Sequence, residues 1–181
     1  MRFIDGELPI GLGRLLPGAL PETWLDSAPC LEVAMIGYLF LNERVNSLVG
    51  NRFYPHQNPR QNAAFPCVTY YRSGTQREHG LLGSPGYAFA DIAFDVWSTK
   101  YLDTCHVAEA MRQALYGFQG IWGRYGIYSV LLEAESDNIE RPADGSGTWY
   151  YSKSLDYRVM FQESIPRPSL PASDFATDTE I

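Results

Sequence analysis

The sequence predicts one α+β domain, a small and mainly antiparallel sheet with two helices packed on it in the order α-β-β-α-β-β. Two stretches carry apolar residues at helical spacing, later ones are β-branched and aromatic with alternating faces, and Gly, Pro and Asn clusters separate them. With 181 residues, 45% hydrophobic and 14% aromatic, the chain has apolar material for one core, so a second domain is not expected.

Residues 1–29 hold four Gly and four Pro with no sustained period, and they read as an irregular N-terminal arm that needs something to lie on. Ser27 is placed to cap the first helix, with Pro29 in its first turn. Leu31, Ala34, Met35, Tyr38, Leu41, Val45, Leu48 and Val49 then share a helical face, and Gly50 supplies the stop. After a Pro- and Asn-rich connection, residues 66–72 (PCVTYYR) read as the first strand, and residues 88–98 (AFADIAFDVWS) alternate faces as the second. Between them, residues 73–87 (SGTQREHGLLGSPGY) read as a hairpin loop too long and Gly-rich for a tight turn.

Thr99 is the expected cap of the second helix, whose stripe is Leu102, Val107, Ala110, Met111, Ala114 and Leu115. A third strand is expected over 127–137 and a fourth over 149–162, where Leu155, Tyr157, Val159 and Phe161 share a face. The domain thus spans 30–163, followed by a Pro-rich C-terminal tail over 164–181. Neighbouring subunits are the natural support for both irregular ends.

Charge narrows the function classes. A net charge of −7 argues against a general nucleic-acid binder, because phosphate affinity comes from clustered cations. The twelve Arg against two Lys favour planar, bidentate contacts of the kind found at protein interfaces. Cys30, Cys67 and Cys105 show no metal-ligand spacing and read as reduced core thiols. No apolar run reaches the roughly 20 residues of a membrane span, and the first residues lack the order of a signal peptide. The expectation is a protein that stays in the cytoplasm where it is made, with no membrane partner.

Catalytic signatures are absent: no phosphate-binding loop, nucleophile elbow, zinc-helix or calcium-loop pattern occurs, and no cofactor or metal is expected. The GLG of residues 11–13 is flexible backbone without a strand before it. Asp91 and Asp95 share a strand face, but their spacing of about 13 Å exceeds the ~5 to 9.5 Å of working acid/base pairs. Asp95 is expected to take a backbone or Arg partner, and His56, His79 and His106 to have packing or surface roles.

Two charge features remain as interface candidates. Arg44, Arg52, Arg60, Arg72 and Arg77 dominate residues 44–82, where Glu78 is the only acid, and with Gly80, Leu81 and Leu82 they are candidates for contact with a subunit or partner. Glu133, Glu135 and Asp137 are expected on one strand face with Glu140 close behind, as a solvated row, a cation site, an acidic interface or the lining of a channel.

The strings LNERVNSLVGNRFYP (41–55), FPCVTYY (65–71), FDVWSTKYLDTCHVAEAMRQAL (94–115) and SLDYRVMFQE (154–163) resemble, in pattern and order, the tail-completion family of long-tailed bacteriophages. The likeness covers about residues 31–163, and the arm and tail go beyond it. It implies a tail terminator, or tail-to-head joining protein: a structural virion subunit that closes into a hexameric ring on the finished tail tube and presents a docking face to the head connector. Its implied partners are itself, the tail tube protein and a head-completion or connector protein. DNA would pass through the channel without specific binding. The implied place is the neck of the virion, after assembly in the bacterial host cytoplasm, and no catalytic residues carry over. Rival readings are another neck ring, such as a connector stopper, and a small enzyme or toxin built on Asp91, Asp95 and His79.

Overall fold

The computed structural model describes residues 28–55, 63–81, 83–141 and 147–163. Ser27, the rest of the arm before it, and the tail from 164 lie outside these residues. Among the described residues three helices, α1 (Leu31–Leu41), α2 (Glu43–Val49) and α3 (Tyr101–Leu115), accompany six strands: β1 (Phe53–Tyr54), β2 (Cys67–Arg77), β3 (Tyr87–Ser98), β4 (Gly120–Trp122), β5 (Tyr125–Glu140) and β6 (Tyr150–Gln162). The α+β class is as predicted, but the order is α-α-β-β-β-α-β-β-β.

Asn42 divides the first predicted helix. Its backbone, at φ −78° and ψ 110°, leaves the helical region, and its side chain accepts a 3.1 Å hydrogen bond from the Val45 N–H. Asn is a poor interior helix residue and a strong N-cap, so the chain breaks where the apolar spacing runs on uninterrupted. Leu41, just before the break, is left exposed, while Val45 and Val49 beyond it are buried. Cys30 occupies the cap position of α1 without a side-chain cap bond. Gly50 ends α2 at φ 59° and ψ −130°, a conformation open to glycine alone at low cost.

The sheet order is β1-β2-β3-β6-β5-β4, antiparallel except for β1, which runs parallel to β2. β2 extends five residues beyond its predicted end at Arg72, because a bulge at Ser73 absorbs one residue between the pairs Arg72↔Ile92 and Gly74↔Asp91 and the ladder resumes. The connection to β3 is therefore 78–86, not the long loop the glycines suggested. β1 and β4 are too short for any periodicity to announce them. Gly123, at φ 56°, turns β4 into β5.

The alternation predicted for β3 holds. Ala88, Ala90, Ile92, Phe94 and Val96 join Leu155, Tyr157, Val159 and Phe161 of β6 in one core with Val107, Ala110 and Met111 of α3. Leu102, assigned to the apolar stripe, is 68% exposed, and Thr104 fills the buried first-turn position with its hydroxyl donating to the Tyr101 carbonyl at 2.6 Å. Thr99 does not cap α3. The cap position is Lys100, whose N–H donates to Ser98 Oγ at 3.2 Å. An aromatic cluster ties α1 to β4, with Tyr38 and Phe118 rings 4.6 Å apart and Phe118 stacked on Trp122 at 5.1 Å.

Two stability outcomes follow. Asn42→Ala should cost about 1 kcal/mol in urea unfolding, with Asn42→Asp recovering most of it. Phe94→Ala, in the middle of the core, should cost about 3–5 kcal/mol. A Phe94→Ala loss below 1 kcal/mol, on the order of a surface change, would show that the core does not centre on β3.

Candidate interaction surface

The described arginines of the 44–82 segment are engaged within the chain. Arg52 donates to the Pro66 carbonyl at 2.7 Å and the Leu48 carbonyl at 2.8 Å, fastening α2 to the start of β2. Arg72 donates from Nη2 to Glu32 Oε2 of α1 at 2.7 Å, and its Nε lies 2.6 Å from Oε1 as an ion pair without hydrogen-bond geometry. Arg44 donates to Gln113 at 2.5 Å, and Arg77 pairs with Glu163 at 2.8 Å while half-exposed. Arg60 and Leu82 lie outside the described residues. Gly80 and Gly83 exchange two backbone hydrogen bonds, of 2.9 and 3.1 Å, and close a tight turn that leaves Leu81 fully exposed.

The acidic row is not on one face. A bulge between the pairs Leu132↔Tyr157 and Ala134↔Asp156 inserts Glu133 as an extra residue. Glu135 and Asp137 consequently lie on the helix-bearing face, opposite Leu155 and Lys153, whereas Glu133 joins Arg158 and Asp91 on the other face. Lys153 holds Glu135 at 3.0 Å and Asp137 at 2.6 Å, and the Tyr101 hydroxyl donates to Asp137 at 2.8 Å. Burial alone would lower the Lys153 pKa, but the two carboxylates hold it above its ordinary value. The Lys153 and Tyr101 hydrogen bonds pull Asp137 below the usual carboxylate range, and the Tyr101 phenol is pushed up to about 12, first by its bond to Asp137. Glu140 is exposed near the end of the hairpin, with Ile139 and Trp149 exposed beside it.

The face away from the helices carries Asp91, Asp95, Asp156 and Glu133 around Arg158. Asp91 accepts from Arg158 Nε at 2.8 Å. Asp95 takes neither the backbone nor the Arg partner expected of it: the Ser154 hydroxyl, directly across the ladder, donates to its carboxylate. Burial raises the Asp95 pKa, opposed by that hydrogen bond and reinforced by Asp156. His79 is exposed in the 78–86 connection. Among the described residues, no group of three or more His, Cys, Asp or Glu is arranged to hold a metal. Cys67 is buried, its thiol pushed up to about 12 by burial, and Cys30 and Cys105 are half-buried and free.

One feature lay outside the reach of residue patterns. β4 pairs with β5 only over Tyr125–Ile127, and the Gly117 N–H binds the Val130 carbonyl at 2.8 Å. From Leu131 to Glu140, no described strand covers the outer edge of β5. At the other side of the sheet, β1 covers β2 only at Val68 and Thr69, so the β2 edge is open from Tyr70 to Arg77 among the described residues.

No protein-family model matches the chain, and no curated protein does. The fold has a solved counterpart. A chain of the structure described as "Virion of native gene transfer agent (GTA) particle" superposes with a TM-score of 0.57 at 17% identity, over 73% of this chain and 94% of that one. At that identity the likeness is one of fold. No helix among the described residues is long and apolar enough to cross a membrane.

The Lys153 cluster gives a pH test. Asp137 has its folded pKa depressed, so its pairing stabilises the fold above the unfolded carboxyl pKa and is lost as pH falls through the folded one. Lys153→Met should cost about 1–3 kcal/mol at neutral pH, and the gap from wild type should narrow on acidification below the ordinary carboxylate range. A gap independent of pH would assign the loss to packing of the lysine stem.

Proposed function

We propose that the chain is a structural subunit of a phage-like virion, and within it the ring that ends the tail tube and joins the tail to the head connector. One observation carries this reading: the fold likeness extends over 94% of a chain from a gene transfer agent virion, nearly the whole of that subunit. The sequence resemblance to tail-completion proteins, built on strings in the same domain, supports the same reading independently.

The residues fit an assembly role better than a catalytic one. Asp91 and Asp95 are each held by a partner of their own, Arg158 and Ser154, and do not act on one another as an acid/base pair. The partners proposed are further copies of the chain, the tail tube protein, and a head-completion or connector protein, with DNA crossing the ring without specific contacts. Leu81, exposed at the tip of its turn, and the Arg77 and Arg44 side chains at the surface are proposed contacts to a neighbouring subunit or the tube. Glu133, Glu135, Asp137 and Glu140 are proposed as an acidic interface or channel lining. Lys153 offers one positive charge to the two carboxylates of Glu135 and Asp137, so this surface keeps a negative excess.

The purified protein, imaged by electron microscopy alone and after mixing with tail tubes of its virion, should form hexameric rings that sit on tube ends. Rings that bind the head connector and ignore tube ends would make it another neck ring. A protein that stays monomeric in the presence of both tube and connector would overturn the reading. If the turn at Gly80–Gly83 contacts the tube, Leu81→Asp should reduce binding to tube ends at least tenfold, a loss of about 1.4 kcal/mol, while leaving the unfolding midpoint unchanged.

A further inference from the structure

We propose that copies of this chain join by strand pairing, the open edge of β5 in one subunit binding the open edge of β2 in the next, so that one sheet runs on around the assembly. The inference rests on the ring reading and specifies its joint.

An uncovered strand edge presents a row of unpaired N–H and C=O groups, which is a template for pairing with another chain. Among the described residues this sheet has two such edges, Leu131–Glu140 on β5 and Tyr70–Arg77 on β2, and they end the same sheet on opposite sides. Pairing β5 with β5 would bring two copies of Glu133, Glu135, Asp137 and Glu140 together, and like charges across a ladder destabilise it. Pairing β5 with β2 avoids that repulsion and brings the acidic strand against one bearing Arg77, half-exposed beside Glu163, and Arg72, which already clasps Glu32.

The faces agree as well. The bulge at Ser73 leaves Arg72 opposite Ile92 and Arg77 opposite Ala88, both core positions, so both arginines are on the helix-bearing face. The bulge at Glu133 puts Glu135 and Asp137 on that same face. On the other face the two edges offer the uncharged, exposed Gln76, Ala134 and Ser136, with Glu133 and Glu140 at either end of the β5 stretch.

Strand direction is the third argument. β2, β3, β6 and β5 are successively antiparallel, so β2 and β5 run in opposite directions within one subunit. A rotation about an axis roughly along the strands preserves those directions, and β5 therefore meets the next β2 antiparallel, the geometry of every other long pair in the sheet. The contact is heterologous, uses different surfaces on its two sides, and closes a ring when the rotation divides a full turn. With the helix layer outermost, where the circumference is larger, the inner wall would carry Asp91, Asp95, Asp156 and Glu133.

The test is cross-linking in a Cys30→Ser/Cys105→Ser background, with a bis-maleimide spanning about 8 Å, the diagonal reach between paired strands. Gln76→Cys and Ser136→Cys proteins, each alone, should give no cross-linked dimer; mixed, they should give one, and the variant carrying both should give a ladder ending in a closed product. Ala134→Cys in place of Ser136→Cys should behave alike, which guards against one poorly tolerated position. Dimers from Ser136→Cys alone would overturn the proposal in favour of β5–β5 pairing. Rings seen by mass and microscopy with no cross-link from either position would overturn the strand joint and leave the ring standing. A monomer that forms no ring even on tube ends would overturn both.

Discussion

The ladder between β3 and β6 is the constraint on which the rest of the molecule depends. It runs unbroken from Tyr87↔Gln162 to Ser98↔Tyr151, without the bulges that interrupt both neighbouring ladders. Because side chains alternate strictly along it, one choice of register commits Ile92, Phe94, Leu155, Tyr157 and Val159 to the core and Asp91, Asp95, Asp156 and Arg158 to the opposite face. A slip of one residue would bury four charges and expose the core. Helix α3 is held in place by the same surface, on which its Val107, Ala110 and Met111 are buried.

The parts of the fold that were legible from sequence are those with a long period and a strong apolar contrast. The β3 and β6 patterns gave element, face and core residue together, and the α3 pattern did so except at its first turn, where Leu102 is exposed and Thr104 buried. Three kinds of feature escaped. β1 and β4 are two and three residues long, below the length at which any period can be counted. Asn42 breaks a helix whose apolar spacing continues past it, and only the capping chemistry of the asparagine marks the place. The bulges at Ser73 and Glu133 change the parity of a strand without changing its composition, so the acidic row looked one-sided when it is two-sided.

The candidate surface was legible in residue type and not in arrangement. Arg72 and Arg52 read as free interface cations, yet one clasps Glu32 and the other caps carbonyls of α2 and the approach to β2. Both spend their charge holding the first helices against the sheet edge. Lys153, one of two lysines in the chain, drew no notice in the sequence because its two acidic partners are distant in the chain and adjacent only across a ladder. The uncovered edges are a property of sheet order, which no local pattern encodes.

The bulge at Glu133 also bears on how this chain should be compared with its relatives. An extra residue in one strand moves every residue after it to the other face of the sheet, so a chain without it would carry the same string with its faces exchanged. Column-by-column matching through 129–140 would then align carboxylates that sit on opposite sides of the sheet, and would report agreement in charge where the surfaces differ. For this strand, homology is better judged by which residue faces Lys153 and which faces Arg158 than by position in the string.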